Sequence, residues 1–131
     1  MLEKAWAKIR GNYIATDGGF NQNGIAALTN APVFDYWIQD FGDYSYYSGD
    51  TAYEILKEAN TADYIMLTQT GSGVDSDFNK CGIALGHAYS IITVFPMTLD
   101  DGTVEKMIMV RNPWGMTFYN QTWAYNDPNW T

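Results

Sequence analysis

Residues 85–95 are an apolar run, Asp100-Asp101-Gly102-Thr103 is an acidic turn with a glycine, and residues 104–111 are a second apolar run. This order constrains the chain more than any other stretch, because two β-rich runs joined by an Asp-Gly turn close into an antiparallel hairpin. The hairpin carries the one histidine of the sequence, His87, near its entrance, and Asn112 at its exit, 25 residues later (112 − 87). Side chains alternate along a strand, so His87, Tyr89 and Ile91 share one face while Ala88, Ser90 and Ile92 share the other. Ser90 is therefore not a nucleophile that His87 serves. A two-residue turn at Asp101-Gly102 places Asn112 opposite Ile91, on the histidine's face. Ile91 is about 13 Å from His87 along an ideal strand. A bulge marked by Pro96, or a turn back at Asn112-Pro113, has to shorten that gap.

Upstream, Leu2, Ala5, Trp6 and Ile9 recur at helical spacing and Gly11 ends the run, which predicts a short docking helix over residues 2–10. Residues 12–23, with Asp17-Gly18-Gly19, read as a loop anchored by Tyr13. A second short helix is expected over 24–30, and a strand over the β-branched and aromatic run 32–38. Residues 40–49 form a tyrosine-dense turn region. A helix follows over 51–59, capped by Asp50 or Ser48, with Tyr53, Ile55 and Leu56 on its apolar stripe. Residues 64–68 read as a strand, 71–80 as a polar, mobile loop, and 119–131 as an aromatic, irregular end. Strands in a run, with helices gathered toward the N-terminal half, predict an α+β fold with an antiparallel sheet and exclude alternating βαβ units.

At 131 residues and 47% apolar, the chain is long enough for one domain and one core, and no repeat, low-complexity tract or linker divides it. Seven basic against 15 acidic groups give a net charge of −8. Such a surface repels phosphate backbones and anionic lipid, which excludes nucleic acid and membrane surfaces as partners. Cys81 is the single cysteine, so no internal disulfide forms and a cytoplasmic, intracellular setting is expected. No apolar run approaches the ~18 residues of a membrane span, and Met1-Leu2-Glu3-Lys4 lacks the pattern of a secretion signal.

A histidine and an asparagine on one face suggest a specific chemistry. The Asn112 oxygen accepts a hydrogen bond from one ring nitrogen of His87 and fixes its tautomer, while the other nitrogen faces a thiol. Trp114 covers that hydrogen bond and keeps water from it. The plainer reading makes His87 a satisfied core residue and Asn112-Pro113 a turn; the two residues together weigh against it. Asp75, Asp77, Asp100 and Asp101 are solvated loop carboxylates whose spacing fits no EF-hand loop.

Gly86-His87-Ala88-Tyr89-Ser90, then an apolar strand, an acidic turn and Met109-Val110-Arg111-Asn112-Pro113-Trp114-Gly115, resembles the histidine/asparagine-bearing second subdomain of calpain-type cysteine proteases. Leu2-Glu3-Lys4-Ala5-Trp6-Ala7-Lys8 with Gly11-Asn12-Tyr13, then Gly18-Gly19 and Ala26-Ala27-Leu28-Thr29, and Trp123 with Trp130 are similar to flanking parts of that subdomain. The resemblance implies the barrel-like half of a papain-like cysteine protease with a few short helices. It implies His87 as general base and acid, Asn112 as its orienter and Trp114 as its shield. The catalytic cysteine of such enzymes belongs to a preceding, mainly helical subdomain, which residues 1–131 do not contain.

Cys81, in the loop Asn79-Lys80-Cys81-Gly82 with no helix start to lower its pKa, is read as a small semi-buried residue. The expected partners are the cysteine-bearing subdomain and a polypeptide substrate, and the chain alone is expected to be inactive. Animal calpains also bind calcium through acidic residues after the asparagine motif. Met116-Thr117-Phe118-Tyr119 has no carboxylate and position 125 is a tyrosine, so no metal ligand is assigned here and calcium would belong to the parent enzyme. Two other readings stand beside this one: a non-catalytic calpain-like module that binds peptides or a partner, and a glycan- or protein-binding β domain in which His87 is structural.

Overall fold

In the computed structural model, which describes residues 1–38 and 47–130, the hairpin is the larger part of a three-stranded antiparallel sheet. The backbone gathers into two compact units, Met1–Asp35 and Tyr36–Thr131. Three α-helices and three strands make the fold α+β, as the order of apolar patterns implies.

In the first unit, α1 spans Leu2–Arg10 and stops at Gly11, whose φ of 101° is closed to most residues. Glu3 in its first turn and Lys8 and Arg10 in its last complement the helix dipole. Ala7 is its buried residue, and the Arg10 guanidinium lies 4.8 Å over the Trp6 ring. The Tyr13 ring is exposed, and the residue holds the loop that follows through its carbonyl, which accepts the Thr16 N–H at 3.1 Å and the Thr16 hydroxyl at 2.7 Å. Asn12 joins it: its Oδ1 accepts the Ala15 N–H at 2.8 Å at the start of a 3₁₀ turn over Ile14–Thr16. Helix α2 spans Asn21–Thr29, three residues earlier than expected, and ends at Asn30 in the left-handed region (φ 53°).

The strand expected over 32–38 does not form. Its aromatic and β-branched residues suit a pleated surface, but β propensity acts only where a neighbouring strand supplies the packing. Trp37 accepts the Tyr47 N–H at 2.9 Å and the Tyr36 and Tyr47 rings meet edge to face at 5.5 Å. Most of the turn expected over 40–49 lies outside the described residues.

Helix α3, Gly49–Thr61, begins where Ser48 Oγ accepts the Thr51 N–H at 3.1 Å. Asp50 sits in the first turn instead and meets Lys106 Nζ at 2.7 Å. The helix lays Tyr53 and Leu56 against Ile91, Val94 and Met66, and this cluster is the core of the second unit. Strand β1 spans Met66–Gln69, starting two residues later than expected, and pairs with β2, Ala88–Thr98, from Met66↔Ile91 to Gln69↔Ala88. Beyond Ile91, β1 is too short to serve β2. There Asn60 Oδ1, near the end of α3, accepts the Val94 N–H at 3.2 Å.

Strand β3 spans Val104–Arg111, with the bounds that the sequence suggested. The turn before it holds three residues rather than two. Leu99 and Thr103 close it by a 2.8 Å bond, Gly102 takes φ 83°, and Asp101 Oδ1 accepts the Thr103 N–H. The bulge falls at Ile92, between the rungs Ile91↔Val110 and Thr93↔Met109, and not at Pro96, which sits in register opposite Lys106. Burial follows that bulge: Tyr89 and Ile91 are inward, then Val94, a step of three in place of two.

The 71–80 loop is tied down. Phe78 bridges Ala84, Leu85 N–H reaches the Asp77 carbonyl, and Asn79 Oδ1 accepts from both Cys81 and Ile83. After Gly115 the chain is irregular but bonded. Asp127 accepts the Asn129 and Trp123 N–H groups at 2.9 and 2.6 Å, and the Trp123 and Trp130 rings meet at 5.0 Å. Among the described residues, no helix is long and apolar enough to cross a membrane.

Ile91→Ala removes the centre of the Tyr53–Ile91–Val94 cluster and is expected to lower unfolding free energy by about 2–4 kcal/mol in urea titration. The N–H groups of Asn129 and Trp123 hold the Asp127 carboxyl below the usual carboxylate range. A depressed pKa gives stability that is present above the unfolded value of about 3.9 and lost as pH falls through the folded value. The melting temperature of Asp127→Asn should therefore fall below wild type near pH 7, and the difference should shrink below about pH 4.

Candidate active site

His87 stands one residue before β2, on a backbone that Gly86 bends into it. Gly86 has φ +54°, and a Cβ there would lie 2.4 Å from the Gly73 carbonyl oxygen, so only glycine fits. The next rung of the β1–β2 ladder would pair Thr70 with His87, and it is half kept. The Thr70 N–H donates to the His87 carbonyl at 2.9 Å, but the His87 N–H donates to the Thr70 hydroxyl, also at 2.9 Å. That hydroxyl in turn donates to the Ala84 carbonyl at 2.8 Å, and the Ala84 N–H donates to Tyr89 Oη at 3.0 Å.

Asn112 follows β3 directly. With Arg111 paired to Ser90, it stands level with Tyr89, on the face of His87 and about 7 Å from it along the strand. Its carbonyl accepts the Gly115 N–H at 3.1 Å, so Asn112-Pro113-Trp114-Gly115 is a turn, as the Asn-Pro step suggested. The turn brings the Trp114 N–H to Asn112 Oδ1 at 3.0 Å, and His87 Nε2 lies 3.0 Å from the same oxygen.

One consequence is chemical. Only the amide oxygen can accept from the Trp114 N–H, so the atom facing Nε2 is an acceptor and Nε2 carries the proton. Nδ1 then holds the lone pair of the neutral imidazole. His87 as a whole is 9% exposed. The Trp114 indole lies on it at 4.2 Å and 36°, and Tyr89 meets it at right angles at 4.9 Å. Phe78 and Phe118, themselves 4.8 Å apart, each meet the indole edge to face at 6.4 Å. The Phe118 carbonyl lies so close to Gly82 that a Cβ there would overlap it, and the Asn120 N–H ties this segment to Cys81 O at 3.1 Å.

His87, Asn112 and Trp114, singled out in the sequence, thus meet in space. Thr70, Ala84, Phe78 and Phe118 were not. Thr70 lies 17 residues from His87 in sequence and carries no local signal of that contact; only the β1–β2 register reveals it. Cys81 is half-buried and bonded through its backbone, in a turn rather than at a helix start. Among the described residues no three His, Cys, Asp or Glu side chains gather into a metal-binding group. Asp127, the carboxylate nearest after the asparagine motif, already receives two backbone N–H groups.

A family profile described as "Calpain family cysteine protease" matches residues 1–131. The calpain-type cysteine protease DEK1 of Zea mays is 30% identical over 132 residues, covering 100% of this chain and 6% of that protein. Calpain-9 of Homo sapiens is 28% identical over 133 residues, covering 99% of this chain and 18% of its own. The calpain-2 catalytic subunit of Gallus gallus is 27% identical over 134 residues, again 18% of its length. The chain spans less than a fifth of these relatives.

With one histidine in the sequence, its imidazole nitrogens can be read singly by ¹⁵N NMR. At a pH where the ring is neutral, Nε2 is expected as the protonated nitrogen and Nδ1 as the bare one. Asn112→Ala should mix the two tautomers.

Proposed function

The chain belongs to the calpain family of cysteine proteases, and on that ground we propose that residues 1–131 supply the proton-handling half of a peptide-hydrolysing site. His87 is the general base and acid, Asn112 orients it, and Trp114 shields their hydrogen bond. The nucleophile is a cysteine on a partnering subdomain, in the same parent chain or a separate one. The single observation that carries this reading is the Asn112 oxygen shared by the Trp114 N–H and His87 Nε2, which leaves Nδ1 free.

In that role Nδ1 takes the thiol proton and forms an imidazolium–thiolate pair, a nucleophile active near neutral pH. The thiolate adds to the scissile carbonyl of a polypeptide. As the tetrahedral adduct collapses, the imidazolium gives its proton to the departing amine and a thioester remains. Water then attacks the thioester, His87 takes a proton from it, and the acid product leaves with the thiol restored. Throughout, the proton on Nε2 stays there, donated to Asn112 Oδ1, and the indole keeps water from competing for that hydrogen bond.

Cys81 has no part in this, so the 131 residues alone should show no peptidase activity. Within these residues Cys81 forms no disulfide, which is in keeping with an intracellular setting.

Mixing this chain with a purified cysteine-bearing calpain subdomain should restore cleavage of a fluorogenic peptide. His87→Ala should reduce kcat by roughly 10²–10⁴-fold. No cleavage with wild type, or equal cleavage with His87→Ala, would replace this reading with that of a non-catalytic binding module.

A further inference from the structure

We infer that Thr70 is a positioning residue for His87, its hydroxyl standing in for a missing strand rung and fixing where the imidazole meets Asn112. The inference rests on the role proposed for His87, and its primary test reads the ring itself.

Thr70 follows β1, one step past the last rung Gln69↔Ala88. In a regular ladder, residues at its level exchange two bonds, each N–H to the other's carbonyl. Here one of the two is ordinary, Thr70 N–H to His87 O at 2.9 Å. The other ends on Oγ1 rather than on the Thr70 carbonyl. The Gly86 N–H likewise reaches back to the Gly71 carbonyl at 2.8 Å. The main chain at 70–71 thus leaves the strand direction while both backbone groups of His87 stay paired.

Oγ1 also organises what surrounds the ring. It donates to the Ala84 carbonyl at 2.8 Å, the shorter of two contacts, the other being the His87 carbonyl at 3.2 Å, and Ala84, 1% exposed, sends its own N–H to Tyr89 Oη. Tyr89 is the residue whose ring meets the imidazole edge-on. One hydroxyl therefore links the histidine's backbone to the tyrosine that flanks its side chain. A methyl group in its place leaves the His87 N–H and the Ala84 carbonyl without partners in a partly buried setting.

A role confined to stability would lower the melting temperature and leave the ring's tautomer alone. A positioning role moves the tautomer. In the full chain, ¹⁵N-histidine NMR of Thr70→Val should show the single Nε2–H tautomer replaced by a mixture, and Thr70→Ser should restore it. In the reconstituted enzyme Thr70→Val should lower kcat by roughly 10–100-fold with little change in KM. A folded Thr70→Val with the wild-type tautomer overturns the inference, as does Thr70→Ser behaving like Thr70→Val. If Thr70→Val does not fold, two measurements decide. The wild-type His87 amide must resist hydrogen exchange, and Thr70→Ser must keep the wild-type tautomer; failure of either overturns the inference. Loss of all reconstituted activity in wild type would sink the proposed function and leave the NMR result standing.

Discussion

Asn112 reaches His87 because β2 and β3 are offset twice, each time by one residue. A two-residue turn would set Asn112 level with Ile91, on the correct face but too far away. The third residue of the Asp100-Asp101-Gly102 turn moves it level with Ser90, on the wrong face. The bulge at Ile92 moves it once more, level with Tyr89. The two offsets cancel in parity and add in distance, so the asparagine keeps the histidine's face and comes two residues nearer. The shared oxygen, the free Nδ1 and the stacking of Trp114 all follow from that position.

The two halves of the site are held by different means. His87 is fixed mainly through its backbone, by Thr70 just past the end of β1 and by a turn that requires glycine at 86. Asn112 is fixed through its side chain, by the N–H of a residue two positions on. Helix α3 secures the sheet from one face through Tyr53 and Leu56. Asn60 closes the donor that the short β1 leaves open. An imidazole held this way has its tautomer set by Asn112 and Trp114, within these 131 residues.

Sequence patterns were most informative where a local rule and the tertiary fold agree. Helix α1 and strand β3 have the predicted bounds because amphipathic spacing before Gly11, and an apolar run after an Asp-Gly turn, leave little for distant contacts to alter. Residues 32–38 have strand-like side chains but, among the described residues, no strand beside them, which no local pattern reveals. Pro96, one of two places where the sequence allowed a shortening device, sits in register opposite Lys106, at a level that β1 does not reach, so β2 has an open edge there that asks for no donor. Ile92, an ordinary strand residue, takes the bulge instead. The need for a shortening device could be read from the distance between His87 and Asn112, while its place could not. Thr70 was invisible for a similar reason, since its function depends on pairing rather than on its neighbours in sequence.

The paired offsets also set what the hairpin can tolerate. A slip of β2 past β3 by one residue would carry Asn112 across the sheet to the side of Ser90 and separate it from the imidazole without altering either residue. A change in the length of the turn does no such thing while the rungs from Ser90↔Arg111 to Thr98↔Val104 are kept, because the added or lost chain is taken up in the loop. The site therefore depends on the pairing of the two strands and not on the length of what joins them.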